Sequence, residues 1–225
     1  MAQHLQREIE ILKKKILTLG AAVEESLRIA VRSVAERDAD LADKVIRTDA
    51  QIDQSEVDLE EDCLKILALH QPVAIDLRFI IAVLKINNDL ERIADLAANI
   101  AERAHFLSTR AQITIPYDLG GLADKAQEML RNSLDALVNL DATLARRVCA
   151  TDDEVDAINR DMYDLVKQAI RAHPEHLDIL IPYLSISRNL ERIADHATNI
   201  AEDVIYMTEG IIARHRAGEN PPGKA

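Results

Sequence analysis

The chain repeats itself. The segment LERIADLAANIAE at 90–102 returns as LERIADHATNIAE at 190–202, with eleven of thirteen positions identical, so any fold proposed for one half has to serve the other. Further landmarks extend the match: Leu19-Gly20 pairs with Leu119-Gly120, and TDAQID at 48–53 pairs with TDDEVD at 151–156. The offset reads 100, then 103, then 100 again. These slips predict small length differences in two interhelical loops, near residues 36–40 and 70–76.

Each unit reads as three helices, at 3–36, 39–69 and 73–108, then at 118–139, 141–172 and 175–215. Leu, Ile, Ala and charged residues dominate, with only six aromatics and no Trp, a balance suited to packed helices rather than sheets. Six Gly and six Pro punctuate stretches of about thirty residues, far longer than the roughly 11 to 12 residues of an average helix. Pro72 and Pro174 fall where a helix's first turn tolerates a missing N–H. Pro182 either kinks the sixth helix or delays its start. The expected fold is all-α: two tandem three-helix bundles over 1–112 and 113–216, joined near Pro116 and Gly120-Gly121, with a disordered tail at 217–225.

With 225 residues and 48% apolar content the chain can bury a full core. Its 27 basic and 39 acidic residues leave a formal charge of -12, which disfavours nucleic acid as a partner because phosphates must be neutralised by Lys and Arg. Cys63 and Cys149 lack CxxC or Cys/His spacing and read as core filler in a reducing compartment. The first twenty residues mix charges at every turn, unlike a signal peptide. The longest apolar run, Phe79 to Leu84, falls far short of the roughly 20 residues a bilayer span needs. A cytoplasmic protein that reaches a membrane only through partners is expected.

Acidic residues recur at helical spacing. In the third helix Ile86, Leu90, Ile93, Ala97 and Ile100 form an apolar stripe, and Asn88, Glu91, Asp95, Asn99 and Glu102 run beside it at steps of three and four. The sixth helix repeats Glu191, Asp195, Asn199 and Glu202, with Arg188 in place of the asparagine. The second and fifth helices add Asp49 with Asp53 and Asp152 with Asp156. Like charges at i,i+4 destabilise an exposed helix by roughly 0.2–0.5 kcal/mol per pair, so four such pairs at matched positions point to compensating cations. Packing the second helix on the third would gather two pairs per repeat into an oxygen-only cluster, which suits Mg, Mn, Ca or ferric iron and makes zinc less expected. A lone ExxxD on an acidic helix is otherwise a solvated surface. Arg92 and Arg192, inside the motif, read either as i,i+3 partners of nearby aspartates or as contacts for phosphate or a partner. His196 replaces Leu96 and reads as a surface or interface group rather than a ligand.

The runs IDLRFIIAVLKINNDLERIADLAANIAERA and SISRNLERIADHATNIAEDVIYMTEG resemble the signature helices of the PhoU family, and the resemblance covers nearly the whole chain. It implies two repeated three-helix bundles whose E(D)xxxD motifs carry multinuclear clusters of iron, manganese or magnesium, on Asp49, Asp53, Glu91, Asp95, Asp152, Asp156, Glu191 and Asp195. Ala94 and Ala194 stand where Gly is frequent in the family, a methyl a helix should accept. The resemblance also implies a non-enzymatic homodimer that associates with a phosphate ABC transporter and a PhoR-type sensor histidine kinase and represses phosphate-starvation signalling. Two other readings remain: a di-iron carboxylate oxidase, which needs two Glu-x-x-His motifs where this chain offers only Glu102 with His105, and a metal-free helical adaptor.

Overall fold

The computed structural model describes residues 2–115 and 117–210. Among these lie six α-helices: α1 Ala2–Glu36, α2 Ala39–His70, α3 Ala74–Ser108, α4 Leu119–Asn139, α5 Ala142–Ala172 and α6 Leu177–Glu209, with a 3₁₀ turn at Pro174–His176 before α6. Pro116, the expected end of the sixth helix beyond 210, and the tail at 217–225 lie outside the described residues.

Local chemistry sets the ends. Asp38 accepts hydrogen bonds from the Asp40 and Leu41 amides, and Asp141 accepts them from Thr143 and Leu144, so α2 and α5 start on matching side-chain caps. The residue before each cap, Arg37 or Leu140, is left-handed at φ 54° or 51°. The first turn therefore matches its copy residue for residue at an offset of 103, which corrects the length difference expected near 36–40. The shared Leu-Gly dipeptide is a coincidence: Gly20 lies in the middle of α1, where a Cβ would come 2.8 Å from Leu134 Cδ2 of α4, whereas Gly120 stands in the first turn of α4.

The expected difference near 70–76 is present. Gln71, Pro72 and Val73 link α2 to α3, whereas His173 alone separates α5 from the 3₁₀ turn. Pro72 thus precedes the cap of α3 instead of occupying its first turn, and Pro174 takes the first position of the 3₁₀ turn. Pro182 lies inside α6, which starts at Leu177 and stays helical through it. That helix ends at Glu209, where the left-handed Gly210 (φ 71°) turns its N–H back to the Tyr206 carbonyl.

The two repeats meet through α3 and α6. Each of these packs on the other and on both remaining helices of its own repeat, α1 also touches α4, and α2 and α5 form the outer flanks. Ile86, Leu90, Ile93, Ala97 and Ile100, and their copies Ile186, Leu190, Ile193, Ala197 and Ile200, are at most 1% exposed. Each buried Leu or Ile is worth about 1.5–3 kcal/mol. Ala94 and Ala194 are fully buried inside regular helix, so each methyl is part of the core. Cys63 is buried and Cys149 half-buried, and burial pushes their thiols up to about 12 and about 11, as befits packing groups.

Polar pins fix the register. The Asn87 amide donates to the Glu56 backbone carbonyl and side chain at 3.0 and 3.1 Å, tying α3 to α2. At the equivalent place the Ser187 hydroxyl donates to Asn159 Oδ1 at 2.8 Å, tying α6 to α5. Across the repeats, Lys85 pairs with Asp203 at 2.8 Å. Asp89 takes both the His196 ring nitrogen at 2.8 Å and the Asn199 amide at 3.2 Å. His196 is accordingly an interface group between repeats, as its replacement of a leucine suggested.

Candidate metal centre

Helical spacing alone puts Asp49 above Asp53 on α2 and Glu91 above Asp95 on α3. Packing brings the two helices' acids together: one carboxylate oxygen from each of Asp49, Asp53 and Asp95 lies within 4.8 Å of the others. Asp49 Oδ1 is buried without a hydrogen-bond donor, an arrangement that costs free energy unless something positive faces it, whereas Glu91 Oε2 has Arg92 Nε 3.3 Å away. The electrostatics agree. Burial pushes the Asp49 carboxyl up to about 6, and the charges of Asp53, Asp95, Glu91 and Glu102 add to the rise. Glu91 is raised as well, by burial and then by Asp95. Two like charges 4 Å apart repel by about 4 kcal/mol at an effective dielectric of about 20, so a cation placed among these acids relieves the repulsion. Its donors are all oxygen, which fits a hard cation.

The second repeat assembles the same residues more loosely. Burial and Glu191, Asp152 and Asp156 together push Asp195 up to about 6, although its side chain stands at the exposed rim. Burial raises Asp152 and Glu191. Among the described residues, however, these four do not gather three oxygens as closely as Asp49, Asp53 and Asp95 do. The faces also differ in one local contact: the Thr198 hydroxyl donates to Asp152 Oδ1 at 3.2 Å, and the first repeat has Ala98 there, which cannot donate. One oxygen of the second face is thereby already satisfied.

The neighbouring charges fall into place around these faces. Arg92, half exposed, lies 3.7 Å from Asp95 and 3.3 Å from Glu91, an i,i+3 contact worth at most about 1 kcal/mol. Arg192 is exposed, and its charge works against the rise at Glu191. His105 of the single Glu-x-x-His motif is held 2.9 Å from Asp43. Glu56 is a member of the first face that the motif reading missed: it lies beyond Asp53 on α2, its own carboxyl is raised by burial, and its charge reaches Glu91. Its i+3 spacing from Asp53 was the available signal.

The sequence profile of the PhoU domain matches residues 16–104 and again 119–204. The chain belongs to the PhoU family. Both PhoU matches end within the helices that carry the acidic motif, α3 and α6. Among relatives, the phosphate-specific transport system accessory protein PhoU homolog 1 of Thermotoga maritima is 35% identical over 92% of this chain and 90% of its own length. A PhoU homolog of Pseudomonas putida is 36% identical over 96% of this chain and 84% of its own. The crystal structure of PhoU from Pseudomonas aeruginosa superposes with a TM-score of 0.90 at 35% identity, covering 92% of this chain and 99% of that one. The phosphate transport system regulatory protein PhoU of Streptococcus pneumoniae gives 0.82 at 29% identity, over 92% and 98%. No helix among the described residues is long and apolar enough to cross a membrane.

Proposed function

We propose that this chain is a negative regulator of phosphate uptake and phosphate-starvation signalling. It works through protein contacts with a phosphate ABC transporter and a PhoR-type sensor histidine kinase, as a homodimer without catalytic activity of its own. The reading rests on one observation above the rest: the PhoU domain matches twice over most of this chain, and relatives aligned along nearly its whole length are named as phosphate transport accessory proteins.

The carboxylate faces are its working parts. Asp49, Asp53, Glu91 and Asp95 hold iron, manganese or magnesium on the first repeat, and Asp152, Asp156, Glu191 and Asp195 do so on the second. A bound cation supplies the positive charge that lets neighbouring carboxylates stay ionised together. The chain's part is mechanical: α2 and α5, on the outer flanks, carry half of each ligand set, so the state of each face sets how firmly a flank is held for a partner to grip. Deleting the protein should leave a phosphate-starvation promoter active in phosphate-rich medium, and restoring the wild-type chain should silence it. Normal repression in the deletion strain, with no second related protein present, defeats the regulatory reading.

A further inference from the structure

The connection between α5 and α6 carries chemistry that the repeat does not require. Its 3₁₀ turn places residues three apart on one edge, and there the rings of His173 and His176 stack with centroids 5.4 Å apart. Glu175 lies between them in sequence, its Oε1 3.1 Å from His173 Nδ1. One ligand atom from each of His173, Glu175 and His176 falls within 4.8 Å of the other two. The first repeat has His70, Gln71 and Pro72 at the corresponding connection, and His70 is committed to Glu8 on α1 at 2.8 Å.

We infer that His173, Glu175 and His176 form a transition-metal site of the two-imidazole, one-carboxylate type, open to zinc and separate in place and chemistry from the oxygen-only faces. Zinc takes imidazole nitrogen at about 2.0–2.1 Å and carboxylate oxygen at about 2.0–2.2 Å in tetrahedral array. Both histidines and the glutamate are at the surface or half-buried, so their side chains can close the remaining distance without moving the core, and water completes the shell. The metal takes neutral imidazole and ionised carboxylate, so protons compete with it and binding weakens as pH falls. Occupancy clips the end of α5 to the start of α6. Magnesium, which prefers oxygen, is not a competitor here.

The test is a zinc titration of the full chain, read through the imidazole nitrogens by NMR. His70 and His105 serve as internal controls, because each already has one carboxylate partner and neither has a second histidine beside it. The inference predicts that His173 and His176 shift together and saturate first. It also predicts that H173A abolishes the early response of His176, and that E175Q weakens it. The same early response should survive in a D49N/D53N/E91Q/D95N chain, so failure of the carboxylate faces and failure of this site are told apart. Responses from His173 and His176 that are independent of each other, or no earlier than those of His70 and His105, overturn it.

Discussion

At the scale of single residues, Asp49 and Asp195 hold the most information. Both stand at about 6 in the folded chain against an ordinary value of 3.8. A carboxyl raised in this way binds its proton more tightly folded than unfolded, so in metal-free protein its contribution to stability is full below about pH 4 and is lost as pH rises through about 6. Chelated protein should therefore melt at a lower temperature at about pH 7 than at about pH 5. Both side chains keep contact with water, which limits the effect to a few degrees. The double variant D49N/D195N should flatten that dependence, and an unchanged slope would show that these carboxyls are not the source. Metal reverses the balance, because a cation that binds only the folded state stabilises it in proportion to its saturation. Saturating manganese should raise the melting temperature of wild-type protein above pH 6 and do little for a chain neutralised at all eight acids.

At the scale of elements, helix ends and site asymmetry make separate predictions. Replacing Asp38 or Asp141 by Ala removes a cap accepting two amides and should cost about 1 kcal/mol, or about 2–4 °C in a chain of this length, by thermal denaturation. Thr198 occupies one oxygen of Asp152, so the second face should give up metal to a chelator before the first. T198A should narrow that gap, and equal loss from both faces in wild-type protein would count against the asymmetry. Helix positions were readable in advance because apolar periodicity marks them directly, whereas the Asp38 and Asp141 caps came to light only in the structure. The end of α6 at Gly210 and the place of Pro72 depend on local backbone twist that periodicity does not carry. The offset near Gly20 misled because a two-residue match can arise by chance, whereas the positive φ at Arg37 and Leu140 reveals the true register. The role of Thr198 was hidden for another reason: sequence shows that Thr replaces Ala98, but only packing of α5 on α6 aims its hydroxyl at Asp152.

At the scale of the whole molecule, duplication explains why so much was legible: a motif that occurs twice at one spacing identifies itself, its helix and its family. What duplication does not specify is how the copies face each other. The pairing of α3 with α6 is held by the Asp89, His196, Asn199 and Lys85, Asp203 contacts, and of these residues only Asn199 has an identical counterpart in the other repeat. H196L would restore the residue found in the first repeat, and should loosen that interface by leaving Asp89 with Asn199 alone, seen as faster amide exchange along α6. The central claim is that the eight acids of α2, α3, α5 and α6 are metal ligands on which the regulatory role depends. Elemental analysis of protein purified without chelator tests it most directly, across wild type, D49N/D53N/E91Q/D95N, and a chain neutralised at all eight positions, each confirmed helical by circular dichroism. The account predicts hard cations in wild type, loss of the first-repeat share in the four-site variant, and none in the eight-site variant. Equal metal content in all three folded proteins would contradict it.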